Sequence, residues 1–150
     1  MFRGASKLTL DAKFRLAMPS RYRERLDERC GGKLVVTVDR HDPCLMVYPY
    51  PDWEEKERLL MKLPTLDPEA RMLQRMMVGH ATEIDLDGNG RILLPQNLRD
   101  HASLTRDVTL VGQGMRFELW DETRWKERRE QWLASPTSAA LSAELETLSL

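Results

Sequence analysis

Cysteine is scarce in this sequence, with 2 among 150 residues, Cys30 and Cys44, and the two do not form a Cys-x-x-Cys pair. Two separated cysteines give no disulfide framework, so both are expected to remain thiols. His41 and Cys44 offer two zinc ligands where a structural site needs four, and no second pair stands at ligand spacing. The sequence therefore predicts neither a metal site nor another cofactor.

Long hydrophobic runs and catalytic motifs are also missing. No stretch approaches the roughly 18 apolar residues that span a bilayer, and the opening MFRGASKLTL lacks the apolar core of a signal peptide. We find no phosphate-binding glycine-rich loop, no Gly-x-Ser-x-Gly and no Cys-His nucleophile pattern. We expect a cytoplasmic protein that has no membrane partner and is not an enzyme.

The sequence has no large excess of charge of one sign, since its formal net charge is -1. That balance argues against coating nucleic acid over the whole surface. The charge is unevenly distributed, however, because residues 1–29 contain eight lysines and arginines but only four acidic residues. Such a segment suits a protein that touches phosphate with one face only.

An internal repeat organises the chain. The segment LTLDAKFRLAMPSRYRERL from Leu8 aligns without a gap with IDLDGNGRILLPQNLRDHA from Ile84, at an offset of 76 positions. The identities pair Leu10, Asp11, Arg15, Pro19 and Arg23 with Leu86, Asp87, Arg91, Pro95 and Arg99. After a shift of four residues the similarity continues to Trp53 and Trp125. Repeats of this kind are read as one structural unit used twice.

Each copy predicts the same elements. Two apolar runs around a polar turn indicate a hairpin, and Pro19 and Pro95 then begin a helical turn or two. Two more strands follow, predicted over 34–38 and 45–48 in the first copy and 108–111 and 117–120 in the second. Asp52 and Asp121 are predicted to cap a closing helix in each copy. A tryptophan stripe, Trp53, Trp120, Trp125 and Trp132, is expected to pack in the core or between subunits.

The predicted organisation is a first half over 1–63, a connecting helix over 64–80, a second half over 81–133 and a tail or short helix over 134–150. Asp67 caps and Gly79 ends the connecting helix. A four-strand half has open edges and too little core to stand alone, so we expect the halves to pair. The predicted fold is α+β: one pseudo-twofold β-barrel with peripheral helices.

The two Asp-x-x-x-Arg turns are the candidate functional sites. The turns place Lys13, Arg15, Asn89 and Arg91 on one face, where arginine suits guanine, asparagine suits adenine and lysine suits phosphate. Asp11, Asp87, Gly88 and Gly90 are then expected to shape the turns. The residues also allow a purely structural interpretation, in which each aspartate closes its own turn and pairs with its arginine at the surface.

Two other interpretations of the aspartates are disfavoured. An aspartic protease dyad needs two carboxylates that share a proton away from cations, whereas an arginine follows each aspartate here by four residues. Asp87-Gly88-Asn89-Gly90 begins like a calcium loop but lacks the bidentate glutamate at the twelfth position.

These motifs resemble the MraZ family of bacterial transcription regulators, whose fold is similar to the AbrB-like DNA-binding hairpins. The resemblance rests on MFRGA, LDAKFRLAMPSRYRE, HDPCLMVYP, RMLQRMMVGHA, DLDGNGRILLP, LVGQ and FELWDE. It implies two AbrB-like halves and a ring of several subunits. It also implies a sequence-specific repressor of the division and cell-wall gene cluster, associated with the nucleoid. The DNA partner would be duplex with short, guanine-rich direct repeats, recognised through Asp11 with Arg15 and Asp87 with Arg91.

One position departs from the family pattern. The first turn carries Phe14 where the second keeps Gly90. If this position needs a positive φ, Phe14 either strains the loop by roughly 1 to 3 kcal/mol or forces a different turn. A second function class also stays open, that of a ring-shaped scaffold or antitoxin-like protein that binds other proteins.

Overall fold

The computed structural model describes residues 1–150 and has an α+β fold. The first half contains β1 (Phe2–Thr9), β2 (Arg15–Ala17), α1 (Ser20–Cys30), β3 (Lys33–Val38), β4 (Leu45–Pro49) and α2 (Tyr50–Met61). The connector is α3 (Pro68–Met77). The second half contains β5 (Thr82–Asp85), β6 (Arg91–Leu93), α4 (Gln96–His101), β7 (Asp107–Gly114), β8 (Phe117–Asp121) and α5 (Glu122–Ala134), followed by α6 (Ala139–Thr147).

The strands are arranged with a pseudo-twofold symmetry. The six-stranded antiparallel sheet has the order β1-β7-β8-β4-β3-β5, and β2 pairs with β6 in a separate two-stranded sheet. Leu16 stands opposite Ile92, its counterpart at an offset of 76. Met46 stands opposite Glu118, its counterpart after the shift of four residues. The repeat seen in the sequence is therefore a symmetry of the fold.

The first strand of each half joins the other half. β1 pairs with β7 along its whole length, and β5 pairs with β3. The predicted hairpin within each half is therefore wrong beyond its turn, because the strands on either side of that turn pair with different partners. The exchange covers one edge of each half's remaining strands, which would otherwise present unpaired backbone groups.

One continuous core joins the halves. It contains 20 buried residues drawn from both copies, including Leu16 and Ile92 at the symmetry axis. The sheet ladder runs from β1 at one end to β5 at the other and does not close. The predicted β-barrel is therefore unconfirmed, whereas the α+β class and the paired halves are what the structure has.

The helix starts follow the predicted caps in two of three cases. Asp67 and Asp121 accept hydrogen bonds from the amides of Glu69 and Arg124, as predicted for N-caps. The prediction of Asp52 as a cap is wrong, because α2 begins at Tyr50 and places Asp52 inside its first turn. Pro51 fits that first turn, where its missing N–H leaves no bond unmade.

The C-terminal helices leave apolar side chains exposed. Trp120, Trp125 and Trp132 pack with ring centroids 5.7 to 5.8 Å apart, whereas Trp53 packs on Tyr48 elsewhere. Trp120 and Trp53 are buried, but Trp132 is 44% exposed. Neither α5 nor α6 has a buried residue.

No helix of the chain is both long enough and apolar enough to cross a membrane.

Candidate nucleic-acid interface

The two Asp-x-x-x-Arg turns are built by the same hydrogen bonds. In the first, the Asp11 amide donates to the Arg15 carbonyl at 3.1 Å and the Phe14 amide donates to the Asp11 carbonyl at 2.9 Å. Asp11 Oδ1 accepts from the amides of Lys13 and Arg15, both at 2.9 Å. Each aspartate thus fixes the backbone that presents its arginine.

The second turn repeats the pattern. The Asp87 amide donates to the Arg91 carbonyl at 2.9 Å and the Gly90 amide donates to the Asp87 carbonyl at 3.0 Å. Asp87 Oδ1 accepts from the amides of Asn89 and Arg91 at 2.8 and 2.9 Å. Gly88 does not have a positive φ, and an added Cβ there would meet nothing within 4 Å. The turn therefore places no demand for glycine at position 88.

Pairing of β2 with β6 brings the two arginines to one place. Arg15 Nε lies 2.7 Å from Asp11 Oδ2, and Arg91 Nη1 lies 3.7 Å from the same oxygen. Arg91 Nε lies 3.3 Å from Asp87 Oδ2 but is buried without a hydrogen bond. The side chains of Arg15 and Arg91 are 29% and 28% exposed, so both reach the surface. Lys13 and Asn89 are exposed at the tips of the turns.

Both aspartates are ionised at neutral pH. The Arg15 amide hydrogen bond holds the pKa of Asp11 below its ordinary value, and the Arg91 amide does the same for the pKa of Asp87. A pair of carboxylates kept ionised in this way cannot share a proton as a protease dyad does. The aspartates are suited to holding arginines and turns.

Two further arginines that were not predicted as site residues flank the turns. Arg23 Nε donates to the Met18 carbonyl at 2.6 Å, and its counterpart Arg99 donates to the Leu94 carbonyl at 3.1 Å. Each lies against the turn of the other half. The alignment of the repeat pairs Arg23 with Arg99, and that pairing is the signal available for finding them.

Phe14 adopts the positive φ that its place in the turn requires. Its φ is 60°, close to the 71° of Gly90, so the first turn keeps the left-handed conformation in spite of the side chain. The carbonyl of Phe14 accepts from the Leu94 amide and that of Gly90 from the Met18 amide, at 3.2 and 2.9 Å. These matching bonds tie each turn to the opposite half and hold Phe14 where a glycine would normally be favoured.

The chain has no cluster of three or more histidine, cysteine, aspartate or glutamate side chains that could hold a metal ion. Cys30 and Cys44 are free, and burial raises the pKa of both thiols.

Known proteins match this chain over its full length. Residues 1–76 and 77–147 each match the MraZ protein family, which is described as antitoxin-like. The transcriptional regulator MraZ of Thioalkalivibrio sulfidiphilus is 58% identical over 151 residues, covering all of both chains. That of Alkalilimnicola ehrlichii is 54% identical with the same coverage, and that of Pseudomonas aeruginosa is 54% identical over 90% of this chain and 89% of its own. The chain therefore belongs to the MraZ family of transcriptional regulators.

Proposed function

We propose that the protein is a sequence-specific repressor that reads duplex DNA with its two Asp-x-x-x-Arg turns. The observation that carries the proposal is the convergence of Arg15 and Arg91 on Asp11 Oδ2, at 2.7 and 3.7 Å. Their partial exposure leaves outer guanidinium nitrogens available to bond the two acceptors of guanine. Lys13 and Asn89 stand on the same turns, where they are suited to phosphate and adenine.

The backbone of both turns is already held by hydrogen bonds before any DNA is bound. Each turn is closed by backbone bonds, and each aspartate accepts two further amides. A reader whose turn is built in advance loses little conformational entropy when it enters a groove. The aspartates also orient the arginines through ion pairs at the surface.

The target would be short, guanine-rich direct repeats upstream of the division and cell-wall gene cluster, bound at the nucleoid by a ring of identical subunits. One chain offers only two small turns, which supports modest affinity by itself. Several chains held together engage successive repeats at a high effective concentration, so that affinity comes from multivalency. This subunit arrangement is part of the proposal.

The test compares arginine variants on a duplex with guanine-rich direct repeats, using fluorescence anisotropy at several salt concentrations. Arg15→Gln and Arg91→Gln are each expected to lose about 1 to 3 kcal/mol of binding free energy per engaged guanine. Arg58→Gln, at an exposed arginine of α2 with no ion pair, is the control and should bind as the parent does. Parent-like binding by both turn variants would exclude recognition by these turns.

A second candidate function is protein binding through the C-terminal helices, as a scaffold or an antitoxin-like protein would do. The supporting observation is the exposure of Trp132, Leu133, Leu141 and Leu148, which are 44%, 74%, 48% and 66% exposed. Salt dependence separates the two functions. DNA affinity that falls linearly as the logarithm of salt concentration rises indicates phosphate contact, and an affinity indifferent to salt speaks against it.

A further inference from the structure

A second basic site lies away from the two turns. Arg3 on β1 and Arg21 and Arg25 on α1 line a surface depression of about 340 Å³ together with Tyr22. All three arginines are exposed, and Tyr22 forms the buried floor. The depression is thus surrounded by guanidinium groups on an open surface.

Two of these guanidinium groups are held in place by neutral partners. Arg21 Nη2 donates to Ser6 Oγ at 2.6 Å and to Tyr22 Oη at 3.0 Å, and its guanidinium lies 4.6 Å from the Tyr22 ring centroid. Arg25 Nη1 donates to the Met1 carbonyl at 2.7 Å. The groups are ordered without a carboxylate that would balance their charge.

Three arginines without a carboxylate partner line this one depression. Five other arginines form ion pairs with carboxylates, namely Arg15, Arg29, Arg40, Arg91 and Arg128. None of Arg3, Arg21 and Arg25 does so, although they stand close together. Three like charges around one depression, two of them held in place, repel each other and offer a net attraction to an anion.

The site exists only in the first half. At the offset of 76, the counterparts of Arg3, Arg21 and Arg25 are Gly79, Asn97 and His101. The second half folds in the same way with those residues, so the fold does not require the three arginines. Nor does the pair of symmetric turns account for them, since a feature that served both turns would be present twice.

We propose that Arg3, Arg21 and Arg25 bind a phosphate group. Arginine presents planar N–H forks that match phosphate oxygens, and charge-assisted bonds of this kind are the strong ones. Ser6 Oγ already accepts from Arg21, which leaves its O–H free to donate to the same anion. The phosphate is either a backbone group of DNA or part of a free phosphorylated small molecule.

The placement of the site suits the DNA source. Ser6 precedes Asp11 by five residues along an extended segment, which corresponds to about 17 Å. The major groove is about 12 Å wide, so the backbone that flanks a groove occupied by the first turn passes within that range. The assignment of this phosphate to DNA rests on the proposed DNA recognition. The existence of a phosphate site does not depend on it.

Isothermal titration calorimetry with inorganic pyrophosphate at low salt tests the site directly. The variant is Arg21→Asn with Arg25→Gln, in which the first change introduces the residue type that the second half has at the equivalent position, Asn97. The matched control is Arg71→Asn with Arg75→Gln, which removes two exposed arginines at the same spacing from α3. The first variant should weaken pyrophosphate binding at least about tenfold and the control should leave it unchanged. Equal affinities in the parent and the first variant, or no binding by the parent, would overturn the proposal.

Two duplexes then identify the source of the phosphate. Both carry the same direct repeats, and one is extended at each end. A DNA source predicts that the Arg21/Arg25 variant binds both duplexes more weakly than the parent and that its salt slope falls by about 1.8 for two lost contacts. A small-molecule source predicts that the variant and the parent bind both duplexes alike. A parent that binds pyrophosphate but neither duplex would refute the proposed DNA recognition and leave the phosphate site standing.

Discussion

Arg99 stacks on Phe14, with its guanidinium carbon 3.7 Å from the ring centroid. The matching pair in the other half is Arg23 with Gly90, where Arg23 Nε lies 2.5 Å from the position an added Cβ would take. The two turns therefore use different means to reach the same left-handed conformation. In the first turn the Phe14 ring packs against the Arg99 guanidinium. In the second turn the Arg23 guanidinium lies where a side chain at Gly90 would be.

The first prediction separates the backbone cost at position 14 from the ring contact. Phe14→Ala keeps the positive φ and loses the contact with Arg99, so it should lower the free energy of unfolding by about 0.5 to 1 kcal/mol. Phe14→Gly loses the same contact but relieves the strain, and should be more stable than Phe14→Ala by about 1 kcal/mol. Urea unfolding measures both. Equal stability of the two variants would mean that the left-handed backbone carries no cost here.

A second prediction uses the two glycines of the other turn. Gly90→Ala forces an L residue into a φ of 71° and pushes against Arg23, so it should lower the free energy of unfolding by about 1 to 2 kcal/mol. Gly88→Ala is the matched control, two residues away in open space, and should change stability by less than about 0.5 kcal/mol. Comparable losses in the two variants would contradict the conformational requirement assigned to position 90.

The sequence predicted the repeat, most strand positions and both turns, because these depend on local patterns and on an alignment of the chain with itself. It did not predict that β1 and β5 would cross to the opposite halves. A turn such as Asp11 to Arg15 has the same local bonds whether its flanking strands pair with each other or with a second copy. Only the long-range register distinguishes the two, and no local residue pattern encodes it.

The candidate site likewise combines local features that the sequence predicted with long-range contacts that it did not. The spacing of Asp11 and Arg15 predicted a turn, and the structure adds that Arg91 from the other half reaches the same carboxylate. That contact depends on the pairing of Arg91 with Ala17 across β2 and β6. The arginines at 3, 21 and 25 were visible only as an excess of charge, because their meeting depends on packing of α1 beside β1.

The third prediction follows from the shared carboxylate and concerns DNA affinity. Asp11 Oδ2 forms ion pairs with Arg15 Nε and Arg91 Nη1, whereas Asp87 Oδ2 forms one with Arg91 alone. Asp11→Asn should therefore weaken binding to guanine-rich repeats more than Asp87→Asn does, because it loosens both arginines. Fluorescence anisotropy at fixed salt gives the comparison. A larger loss for Asp87→Asn would show that the bridge between the halves does not position the arginines for DNA.

The fourth prediction concerns pH and Glu118, which is 8% exposed and lies next to the symmetry axis. Burial raises the pKa of Glu118 above its ordinary value of 4.5, and Asp39 adds to this, while hydrogen bonding from Trp120 and the charge of Arg116 oppose it. The stability that the neutral carboxyl contributes is thus present in full below about pH 4.5 and is lost as pH rises through the folded-state pKa. Glu118→Gln stays neutral throughout, so it should unfold at a higher temperature than the parent at pH 7 and at nearly the same temperature at pH 4.

Glu122 provides the control of opposite sign. Hydrogen bonding with Lys126 lowers the pKa of Glu122, and Lys7 on β1 acts in the same direction. Its contribution is present above the ordinary pKa of 4.5 and disappears as pH falls through the folded-state value. Glu122→Gln should consequently lower the unfolding temperature at pH 7. Shifts of the same sign in both glutamine variants at pH 7 would contradict these assignments.

The last prediction tests the exchange of strands with the first half alone. In a chain of residues 1–80, β3 lacks its partner β5, β1 lacks β7, and Leu16 has lost Ile92 from the buried axis. A second copy can supply equivalents of all three, because the two halves of the full chain are related by the same pseudo-twofold symmetry. The fragment should therefore form a homodimer in which each β1 joins the partner's sheet, and its unfolding temperature should rise with concentration. Light scattering gives its mass, and Leu16→Ala, which opens a cavity at the axis worth about 2 to 5 kcal/mol, should dissociate and unfold it together. A folded monomer of residues 1–80 would show that a half can close its own hairpin. The exchange of β1 and β5 between the halves would then result from the linkage between the halves and not from their unpaired edges.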